Sequence, residues 1–223
     1  VVRREEEAAV PAILEWKGPI LATSVKSDLL EDTIARRSVL GGRTWIFDPS
    51  ASTGWPIARW TPLQGCTTWH GAQERATWLC AVGRQGSGGL EDSDFWYASA
   101  TKLLAPLLYA AATSDRTMED VLRWLDTEER AEVLAMLDLS DSEAAVTSFE
   151  ASANREERTK SAVYATAETV LQAYADPRVL ASAAGTDITA ARLLDGKANT
   201  LYVCAPAHEQ QRLRPIFAAR EPR

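Results

Sequence analysis

Two sets of polar residues have the types and spacing for ligand chemistry. Ser24, Lys26 and Asp28 cluster where a short apolar run, Ile20–Val25, ends, and Asp48 closes a second run, Trp45–Phe47. Open α/β sheets bind ligands at the carboxyl ends of their strands, so hydroxyl, ammonium and carboxylate groups there can meet one. Plainer uses stand beside that reading. Asp28 starts the following helix as a cap, Lys26 is solvated, and Asp48 ahead of Pro49 forms a turn. The second set is Arg155, Arg158, Thr159 and Lys160, in the first turns of a helix after Asn154. Free amide groups and the helix dipole favour a phosphate at such a position. Glu156 and Glu157 interleave and weaken that site, and a solvated face with local ion pairs is the alternative.

Other chemistries find no support. His70 and His208 lie far apart, neither sits in H-E-x-x-H, and Cys66, Cys80 and Cys204 form no C-x-x-C, so no metal site is expected. Reduced thiols are the simplest state of the three cysteines. No Ser/His/Asp or Cys/His triad assembles, and no catalytic residue is assigned. Of eight tryptophans, Trp45 and Trp124 fall in packing positions, whereas Trp55 and Trp60 lie in a Pro/Gly loop and are candidates for exposure and base stacking.

The elements that position these residues read as α/β around a helical insertion. Ala9–Trp16 ends a helix that Gly18-Pro19 breaks. Ile20–Val25 reads as a buried strand and Asp28–Arg37 as a helix, with Leu30, Ile34 and Arg37 on one side and Gly41-Gly42 at its end. Trp45–Phe47 is a second strand, so a parallel βαβ unit is expected. Pro49–Leu63 is a loop, Trp69–Val82 a helix, and Gly83–Gly89 a hinge by composition. Helical periodicity then runs from Phe95–Ala112, interrupted by Pro106, through a capping box at Thr117–Asp120 and a helix at Ser140–Ala153, with Asn154 expected to cap the next. That next helix carries Val163, Ala167, Val170, Leu171 and Tyr174 at helical spacing. Asn199–Pro206 is a strand, and a helix starts at His208. The expected domains are 1–92, 93–195 and 196–223.

Charge and composition narrow the classes. The chain has 223 residues, 46% hydrophobic and 25% charged, an ordinary globular balance. Its net charge of −7 argues against coating nucleic acid by bulk charge. The acidity is concentrated: residues 93–195 hold 9 Lys and Arg against 18 Asp and Glu, a net of −9. No run of about 18 apolar residues is present to span a membrane. The charged start, Val1–Glu7, has no apolar core of a signal peptide.

Several segments, in order, resemble the TraG/TraD-type coupling proteins of conjugation and type IV secretion. Gly18–Leu29 resembles the strand and loop after their phosphate-binding helix, and Trp45–Ser50 their second strand with its FDP turn. Arg59–Leu63 is similar to their RWNPL element, with Thr61 in the Asn place. Phe95-Trp96 resembles the start of their all-α domain, and Asn199–Arg214 the return strand and the helix after it. The resemblance implies a RecA-like, P-loop-type parallel-sheet core, here partial, with an inserted all-α domain. It implies ATP and Mg²⁺ in the full-length family, hexamers, and a cytoplasmic place at the inner-membrane face. It also implies single-stranded DNA, a relaxase–DNA complex and other secretion-system components as partners. Ser24, Lys26 and Asp28 then stand where the family often has Asp-Pro-Lys-Gly-Glu, near the γ-phosphate of a full motor.

The departures carry an expectation of their own. A P-loop needs G-x-x-x-x-G-K-[ST], and none occurs; where its Lys and Thr would fall stand Arg3-Arg4-Glu5-Glu6-Glu7. No apolar run ends in Asp-Glu as a magnesium-binding strand would. The chain alone is therefore expected to bind no nucleotide cofactor, to leave ATP unhydrolysed, and to be a monomer or weak dimer. Its expected role is engagement of DNA or of a protein substrate. The alternatives are an acidic helical module for a basic partner such as a relaxase, and an inactive truncated pseudomotor.

Overall fold

The structure is a computed structural model that describes residues 2–24, 27–84 and 93–218. Its elements in chain order are α1 (Val2–Glu15), β1 (Ile20–Ser24), α2 (Asp28–Ser38), β2 (Thr44–Phe47), α3 (Trp69–Arg84), α4 (Ser93–Thr113), α5 (Met118–Asp126), α6 (Ala131–Asp138), α7 (Glu143–Ala153), α8 (Glu157–Leu171), α9 (Pro177–Ser182), α10 (Ala190–Leu193), β3 (Thr200–Cys204) and α11 (Gln210–Ala218). The residues from 85 to 92, which include most of the Gly-rich hinge, lie outside the described ones. By contact the chain forms two units: residues up to Trp60 with Gly185–Gln211, and Thr61–Ala184 with residues from Arg212.

The α/β unit holds a three-stranded parallel sheet in the order β1-β3-β2. β1 and β2 are parallel, as expected from the βαβ spacing, but β3 inserts between them. Ala22, Tyr202 and Ile46 share one register row across the three strands. With Ile13, Leu29, Leu30 and Cys204 they form a buried cluster, so α1 and α2 cover this face. The Tyr202 hydroxyl reaches Thr33 Oγ1 at 2.7 Å inside that cluster. Gly42 is needed where the chain enters β2, because a Cβ there would sit 2.2 Å from the Ala198 carbonyl.

Arg37 anchors the unit. The sequence places it in the last turn of α2 with Arg36, where the dipole favours cations. Arg36 is exposed, but Arg37 is fully buried. Its guanidinium donates to Thr200 Oγ1 at 2.7 Å, Gly18 O at 2.8 Å, Ala198 O at 2.9 Å and Asn199 O at 3.3 Å, and also to Trp16 O. These acceptors belong to the segments entering β1 and β3, whose carbonyls need donors.

The helical unit is organised around α4. Residues 103–111 of α4 are buried on every side, and a helix apolar all round is a central one. It packs against α3, α5, α6, α7 and α8. Pro106 does not interrupt it; the helix runs through. A helical proline strips the carbonyl four residues earlier of its donor. That carbonyl is Lys102 O, and Ser148 Oγ of α7 donates to it at 3.1 Å. The capping box forms, with the Thr117 amide donating to Asp120 Oδ2 at 3.0 Å. Asn154 is a correction: it ends α7 as its C-cap, and Glu156 caps α8.

Candidate substrate-engagement site

At the strand ends of the α/β unit, Ser24 is the half-buried last residue of β1, and its carbonyl accepts from the Ala205 amide at 3.2 Å. Asp28 is exposed and is the first residue of α2; the cap position is Ser27, in helical conformation and without a side-chain cap bond. Lys26 lies outside the described residues.

Asp48 is fully buried. Its Oδ1 accepts from Ser50 Oγ at 2.8 Å and Ser52 Oγ at 3.2 Å, and its Oδ2 from the Thr53 amide at 2.7 Å. Ala51, in the same turn, holds a left-handed φ of 53°. The carboxylate therefore folds the 48–53 turn, as an aspartate before proline does. Committed to the turn and out of solvent, it does not fit a contact to a phosphate or to Mg²⁺. Nearby, burial first and the Asp48 charge second push the Cys204 thiol up to about 11.

In the helical unit the basic set is largely spoken for. Glu156 occupies the N-terminus of α8, accepting from the Thr159 amide at 3.4 Å and its hydroxyl at 3.2 Å. A carboxylate thus already sits where a phosphate would. Lys160 Nζ is 2.9 Å from Glu128 Oε2 and 3.1 Å from Glu157 Oε2, and these bonds raise its pKa. Arg155 Nη1 donates to Ser99 Oγ on α4 at 3.3 Å. Arg158 is exposed.

The other residues singled out resolve plainly. Trp55 is 42% exposed, as expected for its loop, but Trp60 is only 5% exposed and stacks edge-on with Phe47 at 6.3 Å. Among the described residues no three His, Cys, Asp or Glu side chains are grouped to hold a metal ion, and no helix is long and apolar enough to cross a membrane. Two basic residues escaped the reading of the sequence. Arg43, immediately before β2, was visible as an Arg-x-Trp alternation at a strand start; Arg192 comes beside it only through the fold.

The comparisons with known proteins agree with this architecture. No curated protein matches the chain. Among solved structures, it is similar to the bacterial conjugative coupling protein TrwBdeltaN70 in an unbound monoclinic form, with 14% identity and a TM-score of 0.52 over 89% of this chain and 48% of that one. It is similar also to the plasmid coupling protein TrwB in complex with the non-hydrolysable GTP analogue GDPNP, with 13% identity and a TM-score of 0.51 over 96% of this chain and 51% of that one. The chain thus spans about half the length of these structures and shares their RecA-like α/β fold with inserted helices. A family model described as Type IV secretory system Conjugative DNA transfer matches residues 8–218. The chain belongs to that conjugative DNA-transfer family.

Proposed function

We propose that this chain is the part of a coupling protein that engages the transferred substrate. Residues 1–92 and 196–223 are then part of the motor domain, and 93–195 its all-α domain. Hydrolysis is not assigned to it, because no G-x-x-x-x-G-K-[ST] occurs in the sequence. Cytoplasmic placement at the inner-membrane face, hexamers in the full-length protein and contact with secretion-system components belong to the same reading.

One observation supports a basic polypeptide as the substrate of the helical unit. Lys160 is tied to Glu128 and Glu157, and Glu156 already fills the helix terminus, within a stretch of net charge −9. An acidic surface steers a basic polypeptide, such as a relaxase segment, better than DNA phosphates. The DNA reading keeps Arg155 and Arg158 as its contacts.

Fluorescence anisotropy separates the two. A Lys/Arg-rich peptide and a single-stranded oligonucleotide are titrated against the parent and against the Arg155→Ala/Arg158→Ala/Lys160→Ala variant. The expected result is peptide binding that weakens with salt, and a DNA affinity altered by less than about twofold in the variant. A DNA loss of about tenfold or more, the size expected for several phosphate contacts, would return the basic cluster to DNA.

A further inference from the structure

We propose that a cleft in the α/β unit, beside β2, binds a base and its neighbouring phosphates of single-stranded DNA. This site is separate from the helical surface discussed above, and its test reads different residues. It rests on the family reading only in taking DNA as the strand to be bound.

The cleft has a volume of about 480 Å³ and is lined by Trp45, Trp55, Pro56, Arg43, Arg192 and Asp187, among others. That volume falls within the range of roughly 300–1,000 Å³ for small-ligand sites. β2 pairs only with β3 in the described sheet, so the cleft follows an outer strand. The loop closes onto this strand through the Ala58 amide, which donates to Ile46 O at 2.7 Å. Trp45 is half-buried on the strand, and Trp55 is 42% exposed on the loop. Two indoles at one cleft offer aromatic faces to a base.

The charges favour an anion. Asp187 lines the cleft, but Arg59 takes its carboxylate with Nε at 2.9 Å and Nη2 at 3.1 Å, and with its own amide at 2.9 Å. Arg192 is held in place by one nitrogen, Nη1, which donates to Asp187 O at 3.0 Å and Thr186 O at 3.2 Å. Arg43 is exposed and feels Asp195, which is itself bound by the Lys197 amide at 3.1 Å and by Asn199 Nδ2 at 2.6 Å. Arg43 and Arg192 thus bring two guanidinium groups to a cleft whose one carboxylate is neutralised.

Aromatic faces with flanking cations are the chemistry that holds unpaired bases: the ring stacks and the cations follow the backbone. A duplex hides its base faces and cannot use the indoles. An acidic polypeptide would use the arginines and leave the indoles without a matching ring.

The experiment uses the whole chain and a labelled oligothymidylate of about 20 nucleotides, long enough to cover one such site. An abasic strand and a poly-glutamate peptide of similar length are compared with it. Trp55→Ala and Arg43→Gln, both at exposed positions, are the variants, with circular dichroism confirming their fold. The expected result is binding by oligothymidylate that exceeds the abasic strand by about fivefold or more and is lost by a similar factor in Trp55→Ala. Arg43→Gln should reduce the slope of affinity against salt by about one. Equal binding of the abasic strand, or an unchanged Trp55→Ala affinity, would overturn the proposal. Poly-glutamate binding as tight as oligothymidylate would overturn it in favour of an acidic polypeptide. The Arg155/Arg158/Lys160 variant should leave this binding intact, which separates failure here from failure of the helical reading.

Discussion

Replacing Arg37 with methionine should unfold the α/β unit more readily than any surface change. The side chain keeps much of its length and apolar volume but loses every donor. Five acceptors then lose a partner: Thr200 Oγ1 and the carbonyls of Trp16, Gly18, Ala198 and Asn199. A hydrogen bond to a charged group is worth about 1.5–3 kcal/mol. Taking two of the five at that value, and letting the rest find water or other donors, gives a loss of about 3–6 kcal/mol. An opposing effect is present: burial lowers the pKa of this guanidinium, a sign that enclosing the charge is costly, and methionine removes that cost. The net expectation is about 3 kcal/mol, a large share of the roughly 5–15 kcal/mol that holds a protein folded. With a urea dependence near 2 kcal/mol per molar, the midpoint falls by about 1.5 M. The assay is urea unfolding followed by tryptophan fluorescence, with far-ultraviolet circular dichroism as a second probe of the helical unit. A midpoint shift below about 0.3 M would refute the reasoning, because the carbonyls would then be satisfied without Arg37.

Other outcomes follow from the same geometry. Asp176, held by Arg178 and Arg212, has a pKa well below the usual carboxylate range; its stabilisation is full above the unfolded value near 4 and is lost as pH falls toward the folded one. Asp176→Asn should therefore cost about 1 kcal/mol at pH 7 and progressively less under acid, as read by thermal melts across pH. The thiols of Cys66, Cys80 and Cys204 are buried and pushed up to about 11, so a thiol reagent at pH 8 should label none of them in the folded protein and all three in guanidinium. Ser148→Ala should cost about 1 kcal/mol by removing the donor to Lys102 O, and Pro106→Ala in the same background should recover part of it, as a double-mutant cycle would show.

The strands, the principal helices and the capping box were legible because each is written in nearby residues: apolar runs, breakers, and Thr117 three before Asp120. What was illegible depends on residues far apart. Lys160 reads as a phosphate contact or as part of a face with local ion pairs, and its bond to Glu128, 32 positions earlier, is not written in the spacing. Arg37 reads as a helix-end charge until the β3 segment brings it carbonyls. Trp60 reads as a loop tryptophan until Phe47 covers it. Pro106 reads as an interruption because the hydroxyl that repairs its turn sits on another helix. Of the candidate site, residue types and positions were visible, but which charges were already neutralised was not.

Among the described strands, β3 lies between the other two although it follows both in the chain. Residues 20–24 and 44–47 have no strand between them until residues 200–204 arrive. At a synthesis rate of about 5–20 residues per second, the gap between β2 and β3 lasts roughly 8–30 s. Throughout that interval β1 and β2 wait for the strand they flank, while the helices between β2 and β3, built on local contacts, can already fold in milliseconds or less. Order of birth and order of assembly are thus inverted: the insertion matures first, and the sheet of the unit into which it is inserted is completed afterwards. Until that closure the two early strands present unpaired edges, the surfaces on which newly made chains adhere to one another.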